Sequence, residues 1–402
     1  MVRLAYVVSH PIQYQAPLLR RIAREPDIDL TVLFGSDFSV RGYKDQGFGV
    51  EVTWDVPLLD GYRSHFLPRL RDTGTVSALS PISRGILRRL RNPDGSTAFD
   101  ALWVHGYASA NALHAILAAN TLGIPVLLRA ESWLADRPRS LSTLAAKQLF
   151  LRLLRPGIAA TLPIGSRNRD YWAHYFGADM PQFLMPYAVD NAWFAQRTAA
   201  TDPSKLRTEL ELTPDRPVIL FASKLQTRKH ADHLLEAYAR LCATQPAAGR
   251  LPYLLIVGDG EERARLEART RELALEGVRF PGFRNQSELP AFFALADVFV
   301  LPSRHEPWGL IVNEAMAASC AVIVSDEVGA HADLVTDGVE GFVFPVGDIG
   351  ALTSALTRAV SNPEQTQRMR EAARARIASW DFEADIRGLR QALAAVTGKL
   401  RP

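Results

Sequence analysis

Cysteine is nearly absent: Cys242 and Cys320 are the two in 402 residues, both in stretches with a helical pattern. Neither has a partner at metal or redox spacing, which excludes a disulfide framework and a thiol-ligated metal. Long apolar runs are missing too. None reaches the roughly 20 residues that a membrane-spanning helix needs. Charge of one sign does not dominate, with a net +3 over the chain. Residues 1–190 hold 21 Lys and Arg against 16 Asp and Glu. That mild basic excess suits an anionic acceptor or membrane surface and is too weak to imply nucleic acid. No repeat of 20–50 residues and no low-complexity tract exists, so a solenoid is excluded. The opening MVRLAYVVSHPIQY has one Arg and no small-residue cleavage pattern, and reads as a first strand rather than a signal peptide. The compartment expected is a reducing cytoplasm, including the inner face of the membrane.

What is present is an alternation of short apolar runs with helical patterns, the βα rhythm of a parallel sheet. Hydrophobic residues make up 48% and charged residues 22%, as in an ordinary globular protein. In the first half the expected strands are Leu4–Val8, Leu30–Phe34, Ala101–Val104, Pro125–Leu128, Ala159–Ile164 and a closing Gln182–Met185. Phe38–Leu70 is rich in Gly, Asp and aromatics and reads as a loop or hairpin. Between Asp190 and Pro217 the pattern weakens around TAATDPSK, which reads as a linker. The rhythm restarts at Val218–Ala222, and three helices close the chain from Gly350 to Val396. The expectation is α/β: two doubly wound Rossmann-like domains with a ligand in the cleft between them. Residues 1–195 form the first domain and 196–380 the second, with a final helix in 381–402 crossing back.

The most informative stretch is SRHEPWGLIVNEAMAASCAVIVS, residues 303–325. It places Glu306 and Glu314 eight residues apart across a loop–helix junction. Pro307 suits the first helical turn, and eight positions span at most about 12 Å. The helix start offers N–H groups and a positive dipole end for a diphosphate. On spacing alone, a capping Glu306 with a solvated Glu314 reads equally well. Two lysines, Lys224 and Lys229, follow strand Val218–Ala222. They are either an anion site or two solvated amines. GDGEE after Leu254–Val257 is not the G-x-G-x-x-G pattern and only marks a tight turn.

Taken together, VGDGEE, VRFPGF, ADVFVLPSRHEPWGLIVNEAMAASCAVIVSDEVG and LVTDGVEGFVF resemble glycosyltransferase family 4. These are retaining, nucleotide-sugar-dependent enzymes of the GT-B fold. The resemblance is strongest over residues 218–345 and includes the Glu–seven–Glu pattern. It is looser in the first half, resting on strand rhythm, VHGYAS and MPYAVDNAWF. It implies that Glu306 lies by the donor sugar and Glu314 accepts from the ribose hydroxyls. It implies that Lys224 and Lys229 grip the diphosphate, Lys224 standing where the family has Arg. It further implies that Gly309 and Leu310, in the donor-side turn with Pro307 and Trp308, give backbone N–H groups to the phosphates, that Phe283 and Arg284 flank the base, and that Gly258 and Gly260 shape the loop beneath. Catalysis then falls to Glu306 and Lys229, with His105 at the cleft.

Two departures from the family stand out. Its Gly-Gly loop after the first strand is replaced by Ser9-His10-Pro11-Ile12-Gln13-Tyr14-Gln15, so His10 or Gln13 substitutes for that backbone contact or touches the acceptor, with Tyr14 also on the acceptor side; equally, His10 is a packed or capping residue beside Pro11. Where the family often has His, Arg129-Ala130-Glu131 stands. Arg129, Glu131 and His105 all follow strand ends and are expected to face the acceptor, or Arg129 simply pairs with Glu131. Helix 141–154, with Lys147 and Arg152, and Arg155 just beyond it, reads as core-facing with basic edges; contact with anionic lipid is the alternative. No His/Cys/Asp cluster shows metal spacing, and neither metal nor cofactor is expected. The expected partners are a nucleotide-sugar, most simply a UDP-sugar, and a small-molecule, saccharide or lipid-linked acceptor, with no nucleic acid. The activity expected is metal-independent hexosyl transfer in bacterial glycan or glycoconjugate synthesis. A nucleotide-sugar epimerase, or a catalytically silent sugar-binding or scaffold protein, would share the fold.

Overall fold

The computed structural model describes residues 1–45, 47–244 and 251–400. The chain divides into two compact units: Met1–Tyr43 with Val56–Tyr187 and Phe382–Pro402, and Lys44–Asp55 with Ala188–Asp381. The boundary falls at 187/188 rather than 195/196, and the short segment 44–55 groups with the second unit.

Each unit is built on a six-stranded, all-parallel sheet. In the first the order is Ala160–Thr161, Val126–Arg129, Ala101–His105, Val2–Val8, Ile28–Phe34, Arg63–Phe66. In the second it is Val278–Gly282, Tyr253–Val257, Val218–Ala222, Val298–Leu301, Ala321–Ser325, Gly341–Phe344. Counted within its unit, each sheet has the doubly wound order 3-2-1-4-5-6. Helices cover both faces, so the strands are apolar throughout and alternate residues enter different cores. Leu4, Tyr6 and Val8 pack with Ile386, Leu389 and Leu393 of the last helix. Ala5 and Val7 pack on the opposite face with Ile116 and Trp172. The second unit's Ile219 and Phe221 share a core with Leu234, Tyr238 and Leu356.

Five sequence expectations change. Phe38–Leu70 is not all loop: Arg63–Phe66 completes the first sheet beside Ile28–Phe34. An edge strand needs no apolar run, and Arg63 and Phe66 of RSHF are exposed. Ala159–Ile164 contracts to Ala160–Thr161, and the expected Gln182–Met185 strand is reduced to one bridge between Gln182 and Thr161. The expected linker is two helices, Asn191–Ala200 and Pro203–Glu209. Its polar residues are caps: Asp190 accepts from Trp193 N at 3.0 Å and Asp202 from Ser204 N at 2.9 Å. Cys320 lies after a helix, immediately before strand Ala321–Ser325.

Helix Leu141–Leu154 faces the core along one side only, with Phe150 and Leu154 packed against the core that Leu151 enters. Leu151 is its sole buried residue, while Leu141, Leu149 and Leu153 are 84%, 60% and 73% exposed. Lys147 turns inward over the rings of Tyr171 and Tyr175, 4.5 and 5.0 Å from their centroids. Its pKa falls to about 8 through burial and the nearby Arg139.

The last helix, Phe382–Thr397, belongs to the first unit. A Cβ on Gly388 would lie 1.9 Å from the Leu184 carbonyl oxygen, so only glycine allows this approach. Fully buried Asp385 meets Arg129 at 3.1 Å, and Arg129 also donates to Met185 O and Pro186 O at 2.9 and 3.0 Å. Removing one partner from a buried pair strands the other charge, at a cost of about 3–5 kcal/mol. Asp385→Ala is therefore expected to destabilise the first unit by that amount in denaturant unfolding; a loss under about 1 kcal/mol would show the pair to be dispensable.

Candidate functional site

In a doubly wound sheet, the loops after strands one and four diverge and leave a crevice at the carboxyl ends. In the second unit those strands are Val218–Ala222 and Val298–Leu301. The loop after the first contains Lys224 and the short turn Thr227–Lys229. The loop after the other contains Ser303 to Gly309. The two loops are tied by Arg304 N donating to Arg228 O at 2.7 Å.

Glu306 sits where they meet. Its carboxylate accepts from buried Lys229 and, at 3.2 Å, from Arg228 Nη1. Its backbone is fixed by Glu327 O at 3.2 Å and Gly329 N at 2.9 Å. Burial lowers the Lys229 pKa; the Glu306 carboxylate opposes that shift without cancelling it. The buried pair and the half-exposed guanidinium make one cluster of two cations and one anion.

Pro307 does not open the helix. The helix is Leu310–Ala317, and Gly309 caps it at φ 93°, a left-handed conformation that favours glycine. A Cβ there would stand 3.4 Å from Glu306 Cγ, so the Glu306 side chain lies against the helix start. The first N–H groups of a helix have no intrahelical acceptor. Trp308 is not available to a ligand through its side chain. It is buried, donates from Nε1 to Asn313 at 2.9 Å and stacks on Trp380 at 5.6 Å. Its indole anchors the loop.

Glu314 lies one turn into that helix and is only 8% exposed. Its Oε2 is buried without a hydrogen-bond partner among the described residues. Burial alone raises its pKa to about 8. A buried carboxyl group left unpaired is costly and marks a functional position.

Lys224 is already occupied. It meets both oxygens of Asp45, at 2.8 and 2.9 Å, and lies 4.8 Å from the Phe48 ring centroid. Asp45 also accepts from the backbone N–H groups of Gly47 and Phe48 at 2.8 and 2.9 Å. Burial would raise the Asp45 pKa, but these bonds outweigh it and lower it. Gly258 and Gly260 adopt φ values of 130° and 151° beneath Ser223 and Leu225. Phe283 meets the Phe48 ring edge-on at 4.8 Å. Arg284 is committed to Glu288 at 3.1 Å and Glu209 at 3.5 Å, so its guanidinium points to a surface ion pair, not to a base.

The first unit gathers a second polar group at its own divergent loops, after Val2–Val8 and Ala101–His105. His105 Nε2 lies 3.7 Å from Glu131 Oε1 and 3.4 Å from Tyr187 Oη. Glu131 accepts from Tyr187 and, at 3.3 Å, from Tyr14. Burial would raise the Glu131 pKa, but the bonds from His105, Tyr187 and Tyr14 prevail and lower it. Burial raises both tyrosine pKa values, so these phenols stay protonated donors. His10 packs against Phe38 at 4.4 Å, and burial followed by the His105 charge lowers its pKa to about 4. Gln13 lies half-buried in the adjoining turn. Arg129 touches this group only through the Tyr187 ring, with its guanidinium 4.8 Å from the ring centroid. Its side chain is 1% exposed and turned to Asp385, neither toward a ligand nor toward Glu131.

Sequence reading missed Arg228, Asp45 and Tyr187. Tyr187 stood in the MPYAVDNAWF stretch; Arg228 stood beside Lys229; Asp45 carried no local signal. The expectation that no histidine cluster has metal spacing also fails: ligand atoms of His230, Asp232 and His233 lie within 4.8 Å of one another.

Comparison with known proteins gives a family model, "Glycosyl transferases group 1", matching residues 202–376. The alpha-D-kanosaminyltransferase of Streptomyces kanamyceticus is 27% identical over 295 residues, 71% of this chain and 73% of that protein. The lipopolysaccharide core biosynthesis glycosyltransferase LpsE of Rhizobium meliloti is 32% identical over 184 residues, 46% of this chain and 50% of that protein. Among solved structures, Anabaena HepE in complex with UDP superposes with a TM-score of 0.74 at 18% identity, covering 98% of this chain and 100% of that one. Sucrose-phosphate synthase from Thermosynechococcus elongatus does so with 0.69 at 18% identity, covering 97% and 98%. The two Rossmann-like domains are thus of the GT-B type.

The Glu314 shift has a stability signature. Its folded pKa of about 8 stands above the ordinary 4.5, so the folded state holds the proton more tightly. The associated stability is full below 4.5 and is lost as pH rises toward 8. Calorimetry of wild type and Glu314→Gln between pH 5 and 8 is expected to show the wild-type Tm falling relative to the variant. A constant gap across that range would contradict a buried, unpaired acid.

Proposed function

Residues 202–376 match the family model of the glycosyl transferases of group 1, and on that likeness we propose that the chain moves a sugar from a nucleotide-sugar to a hydroxyl acceptor with retention of configuration. The donor in this reading is a UDP-sugar. The acceptor is a saccharide, small molecule or lipid-linked sugar, in bacterial glycan or glycoconjugate synthesis. The observation that carries the reading is Glu314, whose buried Oε2 has no hydrogen-bond partner among the described residues, on the helix whose start adjoins Glu306, Lys229 and Arg228.

Glu314 takes the ribose hydroxyls of the donor. The helix start at Gly309 and Leu310, with Lys229 and Arg228, takes the diphosphate. Glu306 orients Lys229 and faces the transferred sugar. Lys224 reaches a phosphate only by leaving Asp45, so the donor competes with that carboxylate. In the transfer step the bond between sugar C1 and the diphosphate oxygen breaks. The acceptor oxygen bonds C1 on the same face, and the departing diphosphate takes the acceptor proton. His105, Glu131, Tyr187 and Tyr14 offer donors and acceptors suited to a polyhydroxyl acceptor. The named relatives are transferases, which does not favour an epimerase or a silent scaffold.

A panel of UDP, GDP, ADP and dTDP sugars tests the donor by thermal shift. A ligand at 100 times its Kd adds about 2.7 kcal/mol. The UDP-sugar is expected to raise the Tm, and Glu314→Ala to abolish the rise. Lys229→Ala is expected to lower the transfer rate about 10²–10³-fold, the scale of losing one charge-stabilising donor. No shift with any nucleotide-sugar, together with unchanged transfer in Lys229→Ala and Glu306→Ala, would overturn the proposal.

The first unit also supports a lipid surface as partner. Helix Leu141–Leu154 has no acidic residue, and Leu141, Leu149 and Leu153 lie four or eight residues apart, all exposed, beside exposed Arg152. Such a stripe beside an exposed arginine suits an anionic bilayer. Sedimentation with phosphatidylglycerol-containing vesicles, and not with pure phosphatidylcholine, is expected, with loss in Leu149→Glu/Leu153→Glu. Equal sedimentation with both, or a dimer broken by the same substitutions, would refute it.

A further inference from the structure

His230, Asp232 and His233 lie where the Thr227–Lys229 turn passes into helix Ala231–Thr244. His230 is a non-glycine residue at φ 51°, which turns its ring back over the first helical turn. There it meets His233, with Nδ1 to Nδ1 at 2.9 Å and ring centroids 4.1 Å apart. All three residues are half-buried, and one ligand atom from each falls within a 4.8 Å group.

Two imidazole nitrogens at 2.9 Å need something between them. In the bare protein it is one shared proton. A metal ion does the same for two lone pairs. Two nitrogens bound to one zinc at about 2.0–2.1 Å stand roughly 3.3 Å apart in tetrahedral geometry, and about 2.9 Å apart at right angles. The observed separation thus needs little or no ring movement. Asp232 supplies the carboxylate, and its Oδ2 is held by Arg265 at 3.0 Å. Arg265 is itself anchored on Glu262. A carboxylate oriented in this way resembles the outer support found around metal ligands.

We propose that His230, Asp232 and His233 form a binding site for a divalent transition-metal ion of borderline softness, such as Zn²⁺, Co²⁺ or Ni²⁺. Two imidazoles and one carboxylate match that class and not Mg²⁺ or Ca²⁺, which take oxygen ligands. Three protein ligands leave at least one position for water. The site is separate from the group at Glu306 and Glu314, although its first ligand directly follows Lys229. Binding displaces the shared proton and therefore weakens as pH falls below the histidine range.

The test uses the tag-free full chain, stripped with chelator and desalted, titrated with Zn²⁺ by calorimetry and with Co²⁺ by visible absorption. One ion per chain and a Co²⁺ d–d band are expected. His233→Ala is expected to weaken binding tenfold or more, since even groups that only orient a ligand contribute about tenfold. His233→Asn gives a polar variant in case the alanine form folds poorly. His114→Ala, outside the cluster, should bind as wild type does. The proposal is overturned if wild type retains no ion at micromolar concentration, or if His233→Ala and His233→Asn bind with wild-type affinity and stoichiometry.

Discussion

A parallel sheet covered by helices on both faces leaves only its ends open to polar chemistry. Most residues of the central strands are committed to one core or the other, so charged groups collect in the loops beyond the carboxyl ends. Both units obey this. In the second, the divergent loops bring Lys229 and Arg228 to Glu306; in the first, they bring His105 to Glu131 and Tyr187. The same strand order yields opposite chemistry. One group is dominated by cations and a helix start, the other by hydroxyls and a single carboxylate.

Within the second unit, the two glutamates differ because their surroundings differ. Glu306 is compensated by two cations and keeps its backbone fixed between two loops. Glu314 has no compensating charge among the described residues, and burial drives it toward the neutral acid. A folded protein tolerates such a group where a ligand supplies what the chain withholds. Lys224 shows the converse. Its charge is met by Asp45, a residue some 180 positions earlier, so a ligand reaching it must displace a ready-made anion.

The sheets and most helices were legible because strand runs and helical periods are local. The second unit's candidate site was legible only through the resemblance of its motifs to a known family, since on spacing alone Lys229, Glu306 and Glu314 read equally well as solvated or capping residues. Arg129 follows a strand end, yet it is turned to Asp385, 256 residues away. Nothing local announces that partner. The Asp190 and Asp202 caps read as linker because a capping aspartate and a loop aspartate are the same letter. Arg63–Phe66 was hidden because an edge strand can be polar. The histidine cluster escaped because its geometry depends on the left-handed turn at His230, a backbone property no spacing rule carries.

The return of helix Phe382–Thr397 to the first unit also orders synthesis. The second unit has all of residues 188–381 on hand, with segment 44–55 made long before. The first lacks Asp385, and Arg129 lacks its counter-charge, until the tail emerges. A ribosome moving at about 5–20 residues per second thus leaves the earlier-made sheet waiting uncapped while the later-made one closes. The first half of the chain is, in this sense, the last to be finished.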